Sequence, residues 1–348
     1  MIFLRQLLVR LGLVVFGLSL VFTVCEIGLR ARSFLERQQA IRTADEAPQS
    51  WAIYDPVLGY RLNPSYEDTN PDGLRDHPVT PKRGRFRLLL LGDSVGYYGD
   101  SIEDTYPGQL EEILNQGPAE TSFDVLNASV RGYTTYQELL YLKHHGLGFA
   151  PDLVGLGFVL NDLHQFLHSF SVRDGQIIQH QMYSFTEEAV RSVGWRPRSA
   201  FLEWLAYKLK LSYATARKHT QGGFAFDYRA DFNTAWKDAS WEPIRRYLGE
   251  FEQLAAENDY EFFVVVFPFG QQYDEEYLRE DREYVLKPQA RLRAICQQLE
   301  IPFLDLYDSL DPKEHLGEDG IHLTAAGRRH VAYEIEGFLK AEGLVPSR

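Results

Sequence analysis

Residues 85–96 read RFRLLLLGDSVG, a segment that combines a strand signal with a reactive side chain. Its four consecutive leucines, Leu88 to Leu91, predict a strand that is buried on both faces, as in the middle of a parallel sheet. The apolar run stops at Gly92, so Ser94 follows the carboxyl end of the strand. Open α/β sheets build their sites at this edge. A serine needs a base to become a nucleophile, and the chain offers a candidate base in His322.

Strand and helix patterns alternate from this segment to the C-terminus. Runs rich in apolar and β-branched residues predict four further strands, and helical patterns separate them. Such alternation is typical of a parallel sheet with helices on both faces. The sequence therefore predicts an α/β fold with a five-stranded parallel sheet. The predicted strands are 88–91, 123–127, 152–159, 260–267 and 301–306, and predicted helices begin near Pro107, Thr134 and Thr324.

Composition and charge limit the classes of protein. The chain has 348 residues, 45% of them hydrophobic and 14% aromatic, which is enough for one large α/β domain plus an appendage. The formal net charge of −13 argues against nucleic acid as a partner, because nucleic-acid binding needs clustered cations. Cys25 lies in an apolar segment and Cys296 in a predicted helix. We therefore expect neither a disulfide between them nor a cysteine metal site.

An apolar segment near the N-terminus, Leu7 to Cys25, contains one charged residue, Arg10. As a helix it would be roughly 28 Å long, close to the hydrocarbon thickness of a bilayer. A cleaved signal peptide is the alternative, but the run ends without a small-residue cleavage pattern. We predict a retained single-pass transmembrane helix, with the membrane as a partner. Arginines flank it on both sides, and we expect the folded domain on the outer (periplasmic or extracellular) side, because long domains often cross regardless of flanking charge.

The predicted domain organisation has three parts. Residues 1–32 form the membrane anchor, and residues 33–84 form a juxtamembrane stalk and a turn-rich segment with short hairpin strands that wraps the domain. Residues 85–348 form the α/β domain, with an aromatic insertion at 163–241 that has no strong strand signal. Its length and position predict a lid or subdomain beside the site. Its amphipathic helix, 200–218, is expected to pack against the core, with a membrane-surface location as the alternative.

Four residues carry groups suited to acyl chemistry. Asp319 and His322 are three apart, which lets a carboxylate bind one imidazole nitrogen while the other nitrogen faces away, as a serine triad requires. Gly132 follows the second strand, and a glycine N–H can approach a substrate closely. Asn161 follows the third strand, and its amide suits a developing oxyanion. Because the carboxyl ends of parallel strands share one edge, we expect these residues to meet Ser94 there.

The sequence resembles the SGNH (GDSL-type) hydrolase superfamily through four blocks, which are Gly92-Asp93-Ser94, Gly132, Asn161-Asp162 and Asp319-x-x-His322. The N-terminal anchor and the segments 54–60 and 70–75 resemble a membrane-anchored branch of that superfamily. The resemblance implies a three-layer α/β/α flavodoxin-like fold. It also implies a catalytic triad of Ser94 as nucleophile, His322 as base and Asp319 as its orienter. The implied oxyanion hole consists of the Ser94 and Gly132 N–H groups and the Asn161 side chain.

The sequence therefore predicts a membrane-anchored serine esterase that acts on an O-acyl ester, of a carbohydrate or a lipid, through an acyl-enzyme. The expected partner besides the membrane is a small-molecule or glycan ester. No cofactor is predicted. No metal site is predicted either, since His164 and His168 share a helical spacing but lack further ligands nearby in the sequence.

Three alternatives remain open. An O-acyltransferase would use the same triad to pass the acyl group to a polysaccharide hydroxyl. A non-catalytic, membrane-tethered carbohydrate-binding protein would use Ser94 only to cap a helix. Gly92 to Gly96 also matches the Gly-x-Ser-x-Gly elbow of α/β-hydrolases. In those proteins, however, the elbow follows several strands, and the acid and histidine lie on separate loops.

Overall fold

A computed structural model describes residues 2–46, 51–116, 121–164, 170–173, 176–179, 199, 201–202, 205, 224–228 and 232–346. The chain divides into two compact units. One comprises Met1–Pro48 and Ile178–Gly223, and the other Gln49–Ile177 and Phe224–Arg348. The first unit contains α1 (Ile2–Glu46), a helix of 45 residues.

Helix α1 is apolar and exposed over its middle, as predicted. Its segment Val9–Arg32 has 24 residues and a mean hydropathy of 2.1, and it is not buried. By length and composition it is able to cross a bilayer, although a signal sequence has the same properties. The Glu26 carboxylate accepts hydrogen bonds from Ser199 Oγ and the Phe201 N–H, both at 2.8 Å. The rings of Phe22 and Phe201 meet edge to face, so part of the insertion packs against α1.

Strands and helices alternate through the rest of the described chain. The strands are β1 (Ala52–Asp55), β2 (Gly59–Leu62), β3 (Phe86–Gly92), β4 (Phe123–Asn127), β5 (Leu153–Val159), β6 (Phe170–Arg173), β7 (Gln176–Gln179), β8 (Glu261–Phe267) and β9 (Phe303–Asp305). The helices after α1 are α2 (Ser94–Tyr97), α3 (Tyr106–Leu114), α4 (Thr135–His144), α5 (Trp241–Asn258), α6 (Glu275–Val285), α7 (Lys287–Gln298), α8 (Pro312–His315) and α9 (Ala325–Ala341). Short 3₁₀ turns span Gly146–Phe149, Ala225–Tyr228, Asn233–Trp236, Asp238–Ser240 and Gly270–Tyr273.

Five of the strands form the predicted parallel sheet, in the order β4-β3-β5-β8-β9. This is the order of flavodoxin-like folds, in which the chain first winds to one side of the opening strand and then to the other. The point of reversal lies between β3 and β5, where Gly92 pairs with Gly157. The side chains from Leu88 to Leu91 are at most 2% exposed, which confirms that β3 is buried on both faces.

Helices cover the sheet on both sides. Phe262 and Phe263 are consecutive in β8, so their side chains point to opposite faces. Phe262 stacks on Phe251 of α5, and Phe263 contacts Phe338 of α9. Helix α3 packs with α9, and α4 packs with α5. The fold is therefore the predicted three-layer α/β/α arrangement.

A second, small sheet has the order β2-β1-β7-β6. Strands β1 and β2 form an antiparallel hairpin, which confirms the short hairpin strands predicted in the turn-rich segment. Strands β6 and β7 lie in the insertion, where the sequence has no strong strand signal. Main-chain pairing holds them in the small sheet, as between Ile53 and Gln176. Such pairing does not require an apolar pattern in the sequence. The Asp174-Gly175 pair between them is a typical hairpin signal. The helix predicted at 200–218 lies outside the described residues except at 201–202 and 205.

The close packing of helix α9 against the backbone of His315 can be tested with two glycine substitutions in that helix. A Cβ on Gly327 would lie 2.1 Å from the His315 carbonyl oxygen, whereas a Cβ on Gly337 of the same helix would meet nothing within 4 Å. We expect Gly327→Ala to lower the free energy of unfolding by about 1–3 kcal/mol through overpacking. Gly337→Ala should raise it by about 0.5–1 kcal/mol through helix propensity. Urea unfolding of the full chain in nonionic detergent measures both, and equal effects of the two substitutions would contradict this packing.

Candidate active site

Ser94 is the first residue of α2, directly after the carboxyl end of β3. Asp93 caps this short helix, because its Oδ1 accepts the Val95 N–H at 2.8 Å. Position 96, in the same short helix, requires glycine, because a Cβ there would lie 2.2 Å from Ser129 Oγ. The Ser94 side chain is half-buried. The sharp change from strand to capped helix therefore presents a hydroxyl at the edge of the sheet.

Asp319 and His322 lie on one tight turn before α9. The Asp319 Oδ1 atom accepts the N–H groups of Ile321 at 2.9 Å and His322 at 3.0 Å, a local bonding pattern typical of aspartate in turns. The turn adopts a left-handed conformation at Gly320, with φ of +71°. The Gly320 carbonyl accepts the Gly270 N–H at 2.7 Å. The turn is thereby attached to the segment that follows β8.

The two segments meet through the His322 ring. Its Nε2 lies 2.9 Å from Ser94 Oγ, and its Nδ1 lies 2.6 Å from Asp319 Oδ2. Partial burial acts to raise the pKa of Asp319. The hydrogen bonds from the His322 ring and from the Ile321 and His322 N–H groups outweigh burial and lower that pKa below its ordinary value. Asp319 is therefore a carboxylate beside the imidazole at neutral pH.

The predicted donor Gly132 lies on the loop after β4. That loop continues alongside the end of β3, where the Val130 N–H donates to the Gly92 carbonyl at 2.9 Å. Gly132 has a φ of +74°, a conformation that favours glycine. Among the described residues, no backbone carbonyl accepts its N–H. The Ser94 N–H is the first of a helix and has no acceptor within that helix.

Asn161, the predicted side-chain donor, is 8% exposed just after β5. Its Nδ2 lies 3.4 Å from Asp93 Oδ2, and the same oxygen lies 3.4 Å from Ser94 Oγ. Asp93 therefore contacts both the serine and the asparagine, a link that the sequence did not predict. Asp93 is fully buried, and burial raises its pKa, against the effect of the Val95 N–H. Asp162 Oδ2 accepts the Val159 N–H at 3.1 Å, so this carboxylate is bonded to the backbone beside Asn161.

Two more carboxyl groups lie buried close to Asp93. Glu138 of α4 and Asp162 are both 0% exposed. Burial raises the pKa of Glu138 well above its usual range, and the charge of Asp93 raises it further. Burial likewise raises the pKa of Asp162, with additions from Glu138 and Asp93. Within the described chain, neither Glu138 oxygen has a hydrogen-bond partner. A charge on this residue is therefore costly in the folded state.

Tyr98 and Gly270 also belong to this region, although the sequence analysis did not assign them to it. The Tyr98 ring packs edge to face against the His322 ring, with centroids 4.7 Å apart. Gly270 is the third residue after the end of β8, and a glycine so close to the end of a strand was the available signal. His164 Nε2 lies 3.2 Å from Thr234 Oγ1, whereas His168 lies outside the described residues. In the part of the chain that the structure describes, no three His, Cys, Asp or Glu side chains are grouped to hold a metal ion.

A serine, an imidazole and a carboxylate are thus in contact at the switch point of a parallel sheet, the place where such folds bind their ligands. Residues 90–330 match the family model described as the GDSL-like Lipase/Acylhydrolase family. The chain therefore belongs to this family and is an ester-hydrolysing enzyme.

Two solved structures illustrate how distant the similar proteins are. TesA is 15% identical, with 73% of this chain and 98% of that chain covered and a TM-score of 0.44. A catalytic mutant of an acetylxylan esterase from Geobacillus stearothermophilus is also 15% identical, with 77% and 100% covered and a TM-score of 0.42. A shared substrate does not follow from similarity at this level. Comparison of the sequence with curated proteins finds no match.

The attachment of the Asp319–His322 turn is testable at Gly270. A Cβ there would lie 2.9 Å from the Gly320 Cα atom and 3.1 Å from its carbonyl oxygen. We expect Gly270→Ala to displace the turn and to lower kcat/KM on an aryl ester by about 10-fold to 100-fold, since a 1 Å misplacement has effects of this size. Gly148→Ala is the control, because a Cβ there meets nothing within 4 Å. Unchanged activity of Gly270→Ala, with an unchanged thermal midpoint, would show that this contact does not position His322.

The buried Glu138 predicts a pH dependence of stability. A carboxyl group with a raised pKa in the folded state stabilises the protein below its unfolded pKa of about 4.3, and this contribution is lost as the pH rises towards the folded pKa. Relative to Glu138→Gln, the wild type should therefore lose stability between pH 5 and pH 8. The loss should be at most about 1.4 kcal/mol per pH unit. Urea unfolding of both proteins across this range measures the difference.

The control for this series is Glu280→Gln, at an exposed position of α6. We expect its unfolding free energy to follow the wild-type pH profile. Parallel profiles for wild type and Glu138→Gln would mean that Glu138 is not held neutral by the fold.

Proposed function

We propose that the protein is a membrane-anchored serine esterase that cleaves an O-acyl ester of a carbohydrate or a lipid. Ser94 acts as nucleophile, His322 as general base and Asp319 as the group that orients His322. The observation that carries this proposal is the continuous chain of contacts from Ser94 Oγ through the His322 ring to Asp319, at 2.9 and 2.6 Å. Both distances are within the range needed for direct proton transfer or orientation.

In the first half of the reaction, Ser94 Oγ attacks the ester carbonyl carbon. His322 Nε2 accepts the hydroxyl proton, and Asp319 stabilises the imidazolium that forms. The tetrahedral intermediate collapses when His322 returns this proton to the leaving alkoxide. The products of this half are the free alcohol and an acyl group bound to Ser94.

The oxyanion of the intermediate needs hydrogen-bond donors that are fixed in advance. We assign this role to the N–H groups of Ser94 and Gly132 and to the Asn161 side chain. The positive φ of Gly132 and the contact of Asn161 Nδ2 with buried Asp93 support this assignment, because both hold a donor in place. Removal of one such donor typically lowers turnover by about 100-fold to 1000-fold.

The second half releases the acyl group. His322 takes a proton from a water molecule, the resulting hydroxide attacks the acyl carbonyl, and His322 then protonates Ser94 Oγ as the acid leaves. Transfer to a polysaccharide hydroxyl would follow the same steps, with the sugar oxygen in place of water. The triad is common to both reactions, so the fate of the acyl group has to be measured on the products.

Membrane attachment rests on helix α1. Its segment Val9–Arg32 is long enough and apolar enough to stay in a bilayer, and its exposed side chains would otherwise face water. We propose that this helix is retained as an anchor and that the hydrolase domain lies on the outer side of the membrane. An ester on a surface glycan or on a lipid would then be within reach of the tethered enzyme.

A fluorophosphonate probe tests the nucleophile in the full chain, solubilised in nonionic detergent. We expect the probe to label the wild type and Ser65→Ala, at an exposed serine, and not Ser94→Ala, because the probe bonds only to an activated hydroxyl. Hydrolysis of an aryl acetate should fall by at least about 1000-fold in Ser94→Ala. Labelling of Ser94→Ala at the wild-type rate would identify another nucleophile. Analysis of the products with and without a polysaccharide acceptor distinguishes hydrolysis from transfer.

A further inference from the structure

An arginine with aromatic neighbours lies directly before the proposed oxyanion donor Gly132. The guanidinium carbon of Arg131 is 4.1 Å from the centroid of the Trp51 ring and 4.8 Å from that of Tyr97. It is 5.9 Å from the centroid of the Tyr98 ring. We call Arg131, Trp51, Tyr97 and Tyr98 the arginine cluster.

The cluster adjoins the catalytic histidine. The Tyr98 ring contacts the His322 ring at 4.7 Å between centroids, so a single side chain separates the Arg131 cation from the proposed base. Tyr98 is 39% exposed, whereas Tyr97 is 4% exposed. The arginine therefore has one buried aromatic neighbour, Tyr97, and one partly exposed neighbour, Tyr98, which also contacts His322.

The backbone of Arg131 is held as firmly as its side chain. Its carbonyl accepts the Tyr60 hydroxyl at 2.8 Å, and Tyr60 belongs to strand β2 of the hairpin. Tyr60 and Tyr133 also pack their rings together. Because Trp51 lies just before β1, the wrapping hairpin supplies two of the groups that fix Arg131 beside the site.

Among the residues that the structure describes, the charge of Arg131 has no counter-ion. Over the ranges that the structure describes, no carboxylate pairs with its guanidinium, and its buried Nε atom has no hydrogen-bond partner. Arg75, which also stacks on Tyr97, provides the contrast. It contacts Asp68 and donates to the carbonyls of Tyr97 and Gly99. An unpaired guanidinium is unusual in a chain with a net charge of −13.

Stacking on aromatic rings alone does not explain why a charged arginine lies at position 131. A cation over an aromatic ring is stabilised by it, but a buried donor without an acceptor costs a comparable amount of free energy. Aromatic faces hold the plane of a guanidinium and leave its edges available for hydrogen bonds. Those edges match the two oxygens of a carboxylate or a phosphate. The cluster thus has the composition of an anion-binding subsite, with an arginine cation held between aromatic rings.

We propose that Arg131 binds an anionic group, a carboxylate or a phosphate, on the ester substrate, and so selects acidic esters over neutral ones. This inference rests on the proposed function, since it assigns the substrate class of the same site. Trp51 and Tyr97 orient the guanidinium, and Tyr98 separates the anion from His322. The enzyme would otherwise repel an acidic substrate, because its overall charge is negative.

The test compares matched esters that differ in one anionic group. On the acyl side, these are 4-nitrophenyl hexanoate, the mono-4-nitrophenyl ester of adipic acid and the 4-nitrophenyl ester of 5-phosphonopentanoic acid, whose chains are too long for rapid attack of the anion on its own ester. On the alcohol side, these are methyl 4-acetoxybenzoate, 4-acetoxybenzoate and 4-acetoxyphenyl phosphate. For each set, the ratio of kcat/KM for the anionic ester to that for the neutral ester is measured with the full chain in nonionic detergent. The carboxylate and phosphate members show which anion is preferred.

We expect the wild type to favour an anionic ester in at least one set. Arg131→Met keeps much of the packing volume without the charge and should lower that ratio by 10-fold or more. Arg131→Lys should retain part of it, since it keeps the charge but loses the paired donors. Arg245→Met, at an exposed arginine of α5, should leave the ratio unchanged. A ratio below one in every set for the wild type, or an equal loss on neutral and anionic esters in Arg131→Met, would overturn the proposal.

Ionic strength provides a second measurement that needs no variant. A preference due to Arg131 should fall several-fold between 50 mM and 1 M sodium chloride, because salt screens accessible charges. If Arg131→Met does not fold, a wild-type preference that salt leaves unchanged would overturn the proposal. Failure of this inference is distinguishable from failure of the proposed function. An enzyme that labels with fluorophosphonate and hydrolyses neutral esters, but shows no charge preference, loses only the assignment of Arg131.

Discussion

The hydrogen bond between Ser94 Oγ and His322 Nε2 joins residues 228 positions apart, and the geometry of the site depends on it. One end is fixed by β3, whose buried leucines place Ser94 at the edge of the sheet. The other end is fixed by the attachment of the Asp319–His322 turn to the segment after β8, through the Gly270 N–H and the Gly320 carbonyl. Since β3 and β8 both pair with β5 in one parallel sheet, the distance between the two ends is set by strand spacing.

The sequence predicted the features that burial and local bonding impose on consecutive residues. A strand covered on both faces needs an unbroken apolar run, so the leucines from Leu88 to Leu91 were sufficient to identify β3. The single turn that holds Asp319 and His322 is equally local, and its spacing showed how one carboxylate reaches one imidazole. Once the strands were assigned as parallel, their common edge brought Gly132 and Asn161 to the same region without further information.

The sequence did not reveal features that depend on partners distant in the chain. Strand β7 forms by main-chain pairing with β1, and such pairing does not require a side-chain pattern that the sequence would show. Arg131 lies in a loop whose own sequence gives no sign of its aromatic neighbour Trp51, which the hairpin segment supplies. Glu138 is a charged residue within a helix, a type that is usually exposed, yet tertiary packing buries it close enough for the charge of Asp93 to raise its pKa. Buried groups that oppose stability in this way are often found next to functional sites.

The position of both Asp319 and His322 on one turn has a mechanical consequence. Both side chains project from the same short turn, so a displacement of the whole turn would change the gap between Ser94 Oγ and His322 Nε2 and leave the contact between Nδ1 and Oδ2 intact. The imidazole would then keep the orientation that Asp319 gives it. The contact between the backbones of Gly270 and Gly320 therefore bears on the reach of the imidazole to the hydroxyl.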